Sequence, residues 1–335
     1  MSGDLALDFG TSVTRVADDD GKMLFEEPTI AAVDDDTGRL LAFGDEAIGL
    51  GVTSAGRVVL MHPVRNGELV DVHIAEDALV KVLRRVGTSR VSRPRMIVCS
   101  HVGEMDVQLR ALDRALHKAG ARQVHFVERP IACAIGADLA IAEPMGTMVI
   151  DVGGGTTDIG VLALGGIVTG SSIPVGGNAF DDAVRMVLAR HYGLIVEPSA
   201  ATHIVHTIGT LDGIPGTERA EVSGRDASSG RAHAVTVLAS DLTPFLKEVA
   251  EPIVLAAVEC ITSAPPDLAN DLLDAGLVLA GGAASLDGFG TYLARATGVA
   301  VHPAPQGGRL GVLGAARCAS MLEALGAAIS GAPRR

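Results

Sequence analysis

Residues 148–158 read MVIDVGGGTTD, and residues 5–14 read LALDFGTSVT. In both stretches an apolar strand ends in an aspartate, Asp151 or Asp8. A glycine follows two residues later, before residues with hydroxyl side chains. Because one such stretch lies in each half of the chain, the repeated pattern predicts a duplicated architecture.

Predicted strands and helices alternate outward from these two stretches. Apolar runs typical of buried strands occur at residues 96–99, 124–127 and 277–280. Helical spacing of apolar residues predicts helices at residues 73–87, 104–119, 130–139, 180–191 and 241–263. This alternation predicts an α/β fold with mostly parallel central strands. A polar, Gly- and Ser-rich stretch at residues 209–232 predicts a small added subdomain, and the 335 residues suit two domains.

The chain is acidic, with 27 Lys and Arg residues against 40 Asp and Glu residues and a net charge of −13. Such a balance argues against general nucleic-acid binding, because that affinity comes mostly from cations that contact phosphates. Hydrophobic residues make up 48% of the chain, yet no uncharged apolar run reaches the roughly 18–20 residues that a membrane span needs. The first residues lack the basic and apolar regions of a signal peptide. We therefore expect a cytoplasmic protein.

The cysteines and histidines do not follow the spacing of metal ligands. Apolar surroundings and the lack of CxxC spacing predict buried, reduced thiols at Cys99, Cys133, Cys260 and Cys318. Four histidines invite a metal-site interpretation, but their spacings do not suit a site with carboxylates. We expect structural or exposed roles for His62, His101, His203 and His206.

The two Asp-x-Gly turns have the chemistry of a phosphate site. Glycines let backbone N–H groups approach phosphate oxygens, and Thr and Ser hydroxyls add donors. An aspartate at the end of a strand can hold Mg²⁺, usually through water. A third stretch, LVLAGGAA at residues 277–284, ends another strand in two glycines. We expect the two turns to hold one nucleotide tail from opposite sides, and the third to pass close to the adenine and ribose.

These three stretches resemble the two phosphate loops and the adenosine loop of the superfamily that contains actin, DnaK-type chaperones and sugar kinases. Further phrases narrow the resemblance to the family of MreB, the bacterial actin of cell shape. They are EPTIA at residues 27–31, HPVRNG at 62–67, AGA at 119–121, PIACAIG at 130–136, LGGIVT at 164–169, VSGRD at 222–226 and PPDLA at 265–269. The resemblance covers about residues 4–320, nearly the whole chain.

The resemblance implies an actin-like, ribonuclease H-like duplicated α/β fold, with two lobes around a nucleotide cleft and a five-stranded sheet in each lobe. On this basis we expect lobe I at residues 1–145, with a small insertion at about 28–72. Lobe II is expected at residues 146–325, with an insertion at about 195–240. Residues 326–335, rich in Gly, Ala, Pro and Arg, are predicted to form a disordered tail.

The resemblance also implies ATP with Mg²⁺, head-to-tail polymerisation into double filaments, and a role in cell shape and cell-wall growth. It implies attachment under the inner membrane, with wall-synthesis proteins as partners. Asp8 and Asp151 would hold Mg²⁺, mostly through water, and Thr157 is a candidate catalytic residue. The nucleotide would be bound by Asp8, Gly10, Thr11, Ser12, Val13, Asp151, Gly153, Gly154, Gly155, Thr156, Thr157, Gly177, Thr202, Val205, Gly281, Gly282, Ala283 and Ala284.

The sequence departs from the family pattern at the residue that activates the attacking water. The family has a glutamate just before the proline at residue 130, where this chain has Arg129. Arginine stays protonated in proteins and cannot act as a base, so hydrolysis should be slow or absent. Glu128 is a weak candidate for a substitute base, because a one-residue shift points to another face; a salt bridge or a helix cap is its alternative role. For Arg129 itself we consider a contact with the γ-phosphate, an exposed ion pair and an ion pair between the lobes.

Two further departures concern the sugar and the membrane. The family carries a glutamate and a lysine, three residues apart, that contact ribose and adenine, and the matching positions here are Thr202 and Val205. Losing buried polar contacts would weaken nucleotide affinity by ~1–3 kcal/mol. The loop at residues 87–95 carries three arginines without bulky apolar residues. We expect a solvated loop there, with weak electrostatic contact to anionic headgroups as the alternative.

Three functions stay open at this level. The first is an MreB-like protein that binds ATP, self-assembles and helps to determine cell shape, with weakened hydrolysis. The second is a non-hydrolysing pseudo-ATPase scaffold that acts by binding a partner, which Arg129, Thr202 and Val205 favour. The third, a small-molecule kinase of the same superfamily, would need an acceptor base and a substrate insertion that the sequence does not reveal.

Overall fold

The computed structural model describes residues 3–54, 56–88, 93–212, 218–325 and 329–331. The elements of its first half are β1 (Leu5–Phe9), β2 (Val13–Asp18), β3 (Met23–Pro28), β4 (Ala31–Asp34), β5 (Leu40–Phe43), α1 (Asp45–Thr53), β6 (Val58–Met61), β7 (Val64–Arg65), β8 (Glu68–Leu69), α2 (Val72–Arg85), β9 (Arg95–Ser100), α3 (Asp106–Ala119), β10 (Gln123–Glu128) and α4 (Arg129–Gly136). Those of its second half are β11 (Thr147–Val152), β12 (Thr157–Ala163), β13 (Gly166–Ile173), α5 (Gly177–His191), β14 (Leu194–Ile195), α6 (Pro198–Ile208), β15 (Arg219–Asp226), β16 (Ala232–Leu238), α7 (Ala239–Ser263), α8 (Pro266–Ala275), β17 (Leu277–Ala280), α9 (Phe289–Thr297), β18 (Val301–Pro303), α10 (Leu310–Leu325) and β19 (Ile329–Gly331).

Two sheets of the same construction form the centre of the molecule. The first contains β3-β2-β1-β9-β10, and the second contains β13-β12-β11-β17-β18. In each half the first three strands run antiparallel to one another. The last two strands run parallel to the first. The matching order and direction confirm the predicted duplication. In each five-stranded arrangement two pairings are parallel and two are antiparallel, so parallel strands form one side of each sheet and the expectation of mostly parallel central strands holds only there.

Both sheets are covered on their two faces, which explains the nearly continuous apolar sequence of their central strands. β1 is buried along its whole length, and β11 is buried from Met148 to Val152. One core packs Leu7 and Phe126 of the first sheet against Leu79 of α2. Another packs strand β11 against helices α5 and α7. The carboxyl ends of β1 and β11 are thereby fixed in place, and these ends carry the two Asp-x-Gly turns.

The last helix of each half packs mainly against the sheet of the other half. Helix α4 contacts β11 and β12 of the second sheet, and α10 contacts β1, β2 and β9 of the first. A Cβ atom added to Gly314 of α10 would lie 1.7 Å from the carbonyl oxygen of Ala132 in α4, so the two helices touch backbone to backbone. Helix α10 thus packs with the first sheet, although residues 310–325 fall in the range predicted for lobe II. Periodicity shows that a helix has an apolar face, but it does not show which sheet covers that face.

Smaller sheets lie within or beside the predicted insertions. Strands β5-β4-β6 and the β7-β8 hairpin occupy the first insertion, and β14-β15-β16 accompany the second. Residues 213–217 of the Gly- and Ser-rich stretch lie outside the described residues. All four cysteines are buried and free, as the sequence predicts. Among the described helices, none is long and apolar enough to cross a membrane.

The predicted disordered tail needs one correction. Residues 329–331 form β19, which pairs antiparallel with residues 125–127 of β10. Strand β10 is the edge of the five-stranded arrangement, and an edge strand presents unpaired N–H and C=O groups that another segment can use. The rest of the predicted tail, residues 326–328 and 332–335, lies outside the described residues.

Candidate functional site

Two loops face each other at the carboxyl ends of β1 and β11. A Cβ atom on Gly154 would lie 2.0 Å from Oγ of Ser12. A Cβ atom on Gly155 would lie 2.6 Å from Oγ1 of Thr11. Only glycine, which has no Cβ, permits so close an approach. The glycines at the end of β11 therefore bring the two loops together at the bottom of a cleft between the sheets.

A cavity of about 280 Å³ lies in this cleft, with the two loops in its wall. Its volume is near the lower end of small-molecule sites, which begin at about 300 Å³. The predicted site residues that line it are Asp8, Gly10, Thr11, Ser12, Val13, Arg129, Asp151, Gly153, Gly154, Gly155, Thr156, Gly177, Thr202, Val205, Gly281, Gly282 and Ala283. The structure thus gathers residues from distant parts of the sequence around one cavity.

The start of helix α5 supports the second loop. The N–H groups of Gly177 and Asn178 donate to the carbonyl oxygens of Gly153 and Gly154, at 2.9 and 2.8 Å. The hydroxyl of Ser12 in the first loop donates to Oδ1 of Asn178 at 2.9 Å, which links the two sides of the cleft. The positive end of the dipole of this 15-residue helix lies at the cavity and favours an anion there.

Arg129 lies between the two loops, against three aspartates. Its Nη2 atom lies 2.5 Å from Oδ1 of Asp8, and its Nη1 atom lies 3.4 Å from Oδ2 of the same carboxylate. Nη1 is also 3.6 Å from Oδ2 of Asp151, and Nε is 3.9 Å from Oδ2 of Asp158. Of the roles considered for Arg129, the structure contains the ion pair between the lobes. This ion pair is buried, and Arg129 joins both sheets because it contacts Asp8 of the first and Asp151 of the second. The two glycine-containing loops and a buried arginine therefore share one end of the cleft.

Burial and charge act against each other on these groups. Burial raises the pKa of Asp151 to about 6, even though the neighbouring guanidinium of Arg129 lowers it. Burial alone would lower the pKa of Arg129, but the carboxylates of Asp8 and Asp151 outweigh it and raise that pKa well above its usual value. Arg129 is therefore a permanent cation and has no capacity to act as a base.

A histidine–aspartate pair lies beside the same end of the cavity. Nδ1 of His101 is 2.8 Å from Oδ2 of Asp158, and Oγ1 of Thr156 is 3.5 Å from the same nitrogen. Burial lowers the pKa of His101, but the charge of Asp158 and the hydrogen bond to it raise that pKa above its usual value of 6.5. His101 follows the end of β9, the strand next to β1, and this neighbourhood brings it to the cavity.

The opposite end of the cavity combines apolar and polar groups around the third turn. Gly281 has a φ of 94°, and a Cβ atom there would lie 2.1 Å from the carbonyl oxygen of Val152. The hydroxyl of Thr202 donates to Oδ2 of Asp181 at 2.5 Å. Burial raises the pKa of Asp181, whereas the hydrogen bond from Thr202 lowers it. Val205 also lines the cavity and contributes an apolar surface.

Three predicted site residues lie outside the cavity wall. The hydroxyl of Thr157 is fully buried and donates to the carbonyl oxygen of Val175 at 2.7 Å, so it is turned away from the cleft. Glu128 precedes the first residue of α4, and its Oε1 atom accepts the N–H of Gly103 at 3.3 Å. Ala284 lies behind the third turn, in a neighbouring hollow.

Sequence reasoning missed several lining residues: Arg15, His101, Asn178, Phe180, Asp181, His206, Leu286 and Gly308. Asn178 to Asp181 follow directly after Gly177, so closeness in sequence was an available signal for them. His101 and Gly308 reach the cavity through strand order and helix packing, for which no local signal exists. The expectation of a structural or exposed role for His101 overlooked its place in the wall.

The carboxylates of the cleft also allow a test of the Mg²⁺ that the family resemblance implies. Carboxylate oxygens are suitable ligands for this ion. However, both oxygens of Asp8 contact the guanidinium of Arg129, which also lies 3.6 Å from Asp151. The space between the two predicted Mg²⁺-holding aspartates therefore contains a fixed cation. The residues present do not fit a divalent ion at that place.

Comparison with known proteins identifies relatives along almost the full chain. The model of the MreB/Mbl protein family matches residues 2–327. The cell shape-determining protein Mbl of Bacillus cereus is 35% identical over 294 residues, which cover 87% of this chain and 88% of that protein. The cell shape-determining protein MreB of Escherichia coli (strain K12) is 33% identical over 309 residues, which cover 90% of this chain and 88% of that protein.

Solved structures with the same fold support this result. MreB 5 of Spiroplasma citri bound to AMPPNP matches with a TM-score of 0.88 at 24% identity, over 96% of each chain. The MamK double helical filament matches with a TM-score of 0.80 at 22% identity, over 94% of this chain and 98% of that one. These matches confirm the predicted actin-like α/β fold. Since the family model spans nearly the whole sequence and relatives exceed 30% identity, the chain belongs to the MreB/Mbl family.

Proposed function

We propose that this chain binds ATP in the cleft between its two sheets. The observation that carries the proposal is the approach of the two glycine-containing loops, where a Cβ on Gly154 would lie 2.0 Å from Oγ of Ser12. Backbone N–H groups exposed by such loops suit a polyphosphate. The related MreB 5 structures of Spiroplasma citri contain AMPPNP and ADP. The third turn at Gly281 and Gly282 would receive the adenosine.

With ATP bound, the chain would assemble with copies of itself into filaments that help to determine cell shape and cell-wall growth. Support comes from the cell shape-determining relatives and from the MamK filament. We place this activity in the cytoplasm, close to inner-membrane proteins of wall synthesis. The loop at residues 87–95 is our candidate for a weak membrane contact, although its residues 89–92 lie outside the described part of the chain.

Hydrolysis of the bound ATP should be weak. The family position for the water-activating glutamate holds Arg129, which stays protonated. Glu128 is not a ready substitute, because its carboxylate is bound to the N–H of Gly103 outside the cavity. His101 and Asp151 are further proton acceptors near the two loops. Asp158 raises the pKa of His101 and favours its protonated form, and the carboxylate of Asp151 lies 3.6 Å from the cation of Arg129. We therefore expect ATP to stay intact after assembly.

A second candidate function is a nucleotide-locked scaffold that binds a partner without polymerising. The same arginine favours it, because the cation of Arg129 joins both sheets through Asp8 and Asp151 and would hold one closed state. In that case the functional form would be a single chain with its cleft held closed, rather than a filament.

High-speed pelleting with ATP, with ADP and without nucleotide separates these functions, with phosphate release measured in the same tubes. We expect the wild type to pellet with ATP and to release little phosphate. Gly155→Ala, whose Cβ would lie 2.6 Å from Thr11, should bind ATP poorly and stay soluble. Gly166→Ala is the matched control, because its Cβ meets nothing within 4 Å. A wild type that binds ATP but never pellets would support the scaffold, and rapid phosphate release would contradict weakened hydrolysis.

A further inference from the structure

Arg129 is the cation that faces three buried carboxylates, those of Asp8, Asp151 and Asp158. It is the first residue of α4, directly after β10 of the first sheet. From there it contacts Asp8 of the first sheet and approaches Asp151 and Asp158 of the second, at 3.6 and 3.9 Å. His101, which also lines the cavity, reaches across to Asp158 of the second sheet, but among the lining side chains of the described residues only Arg129 pairs with carboxylates of both sheets.

The guanidinium lies deep in the wall, yet it still has a donor to offer. Arg129 is 8% exposed, and among the described residues its Nε atom has no hydrogen-bond partner. A Cβ on Gly10 of the first phosphate loop would be 3.7 Å from Nη2, so the guanidinium lies directly beside that loop. Nε is itself buried and faces Asp158 at 3.9 Å. The Nη atoms are the ones beside the loop, and because each carries two N–H groups, a phosphate oxygen in the cavity can accept a hydrogen bond from this edge of the guanidinium.

Arginine is well suited to this task, because its fixed fork of donors matches phosphate geometry and its charge does not depend on pH. A divalent ion in the same space would have to approach a cation that is already bound to the same carboxylates. Like charges in contact repel strongly in a partly buried site. The two cations are therefore alternatives to each other at this position.

We propose that Arg129 takes the place of the divalent cation, so that this chain binds the polyphosphate of ATP without Mg²⁺. The inference rests on the proposed ATP binding and adds the ionic form of the ligand, free ATP instead of its Mg²⁺ complex. Asp8 then serves to position Arg129 through its two-point contact, and Asp151 and Asp158 hold the other edge of the guanidinium.

The direct test is the affinity of wild-type protein for a fluorescent ATP analogue, measured with excess Mg²⁺ and with EDTA. We expect the dissociation constant to differ by less than about threefold between the two buffers. A wild type that loses tenfold or more of its affinity in EDTA would overturn the proposal while leaving ATP binding intact. A wild type that binds in neither buffer would overturn both the proposal and the function on which it rests.

Variants of the arginine add a readout that a purely structural role would not move. Arg129→Gln should bind the analogue weakly in EDTA and regain affinity on titration with Mg²⁺, because the aspartates become free for the ion. Arg129→Glu should show the same dependence if it folds, and circular dichroism would establish that. Arg122→Glu makes the same charge change at an exposed position after α3 and should keep the Mg²⁺-independence of the wild type. If Arg129→Gln remains indifferent to Mg²⁺, the arginine does not replace the ion.

Discussion

Arg129 and Asp8, which are separated by most of the first half of the sequence, form a two-point ion pair with N···O distances of 2.5 and 3.4 Å. Asp8 is the next-to-last residue of a central strand of the first sheet, while the helix that begins with Arg129 packs on the second. The pair therefore ties the two sheets together at the bottom of the cleft. Arg129, which stands where the resemblance implies a water-activating glutamate, thus has a structural contact in this chain.

Loss of this arginine should lower stability strongly. Arg129→Ala leaves Asp8, Asp151 and Asp158 without their shared cation, and breaking a buried ion pair costs about 3–5 kcal/mol. Urea unfolding without nucleotide would measure the loss. Arg110→Ala removes an exposed arginine from its pair with Asp106 and should change the free energy of unfolding by at most about 1 kcal/mol. Equal effects of the two substitutions would contradict a stabilising role for the buried pair.

The contact between α4 and α10 predicts opposite results for two glycines of the same helix. Gly314→Ala would place a Cβ 1.7 Å from the carbonyl oxygen of Ala132, so the helices must separate and the melting temperature should fall by several degrees. Gly311→Ala meets only the sulfur atoms of Cys133 and Cys99, at an ordinary 3.7 Å, and gains up to about 1 kcal/mol of helix propensity. Thermal melts of both variants would check this. A Gly314→Ala variant as stable as Gly311→Ala would disprove the close contact.

His101 predicts a pH dependence of stability. Its pKa is raised in the folded state through Asp158, despite the opposing effect of burial, so the folded protein holds the proton more tightly than the unfolded chain. The resulting stabilisation is fully present below pH of about 6.5 and disappears as the pH rises through the folded pKa. Urea unfolding at a series of pH values should therefore show a wild-type advantage over His101→Gln that shrinks with rising pH. An advantage that stays constant across the series would argue against a charged pair.

The four thiols should be inert in the native protein. Cys99, Cys133, Cys260 and Cys318 are buried, and burial raises the pKa of each, for Cys318 to about 12. The thiolate is the reactive form, so a maleimide should leave the folded chain unmodified at neutral pH. Mass spectrometry should find four modified cysteines after unfolding in urea. Modification of any of them under native conditions would show that the core opens locally.

The parts of the site that are continuous in sequence were predictable from it. Each of the two glycine-containing loops follows its own strand directly, so the sequence alone places Asp8, Gly10, Asp151 and Gly153 at or just after strand ends. The sequence also placed Arg129 at the start of a helix, since Pro130 follows it. The sequence did not show that Asp8, Asp151 and Asp158 surround Arg129, because these aspartates come from β1, β11 and β12 of two different sheets.

Features that depend on strand order or on helix packing had no local signal. His101 reaches the cavity because β9 lies next to β1, and the sequence does not contain that adjacency. Strand β19 forms because β10 is an edge, although Gly, Ala and Pro around it indicate disorder. The packing of α10 on the first sheet also had no local signal, because its apolar face could have been covered by either sheet.

The packing of α4 on the second sheet and of α10 on the first has a consequence for how the molecule can be divided. The final helix of each half packs on the sheet of the other half. Two subunits exchange elements in the same way in a domain-swapped dimer, but here both halves belong to one chain. A fragment that ends near residue 145 would contain a sheet without its covering helix and a helix without its sheet. The halves are therefore copies of one architecture, and each sheet is covered on both faces only when the other half is present.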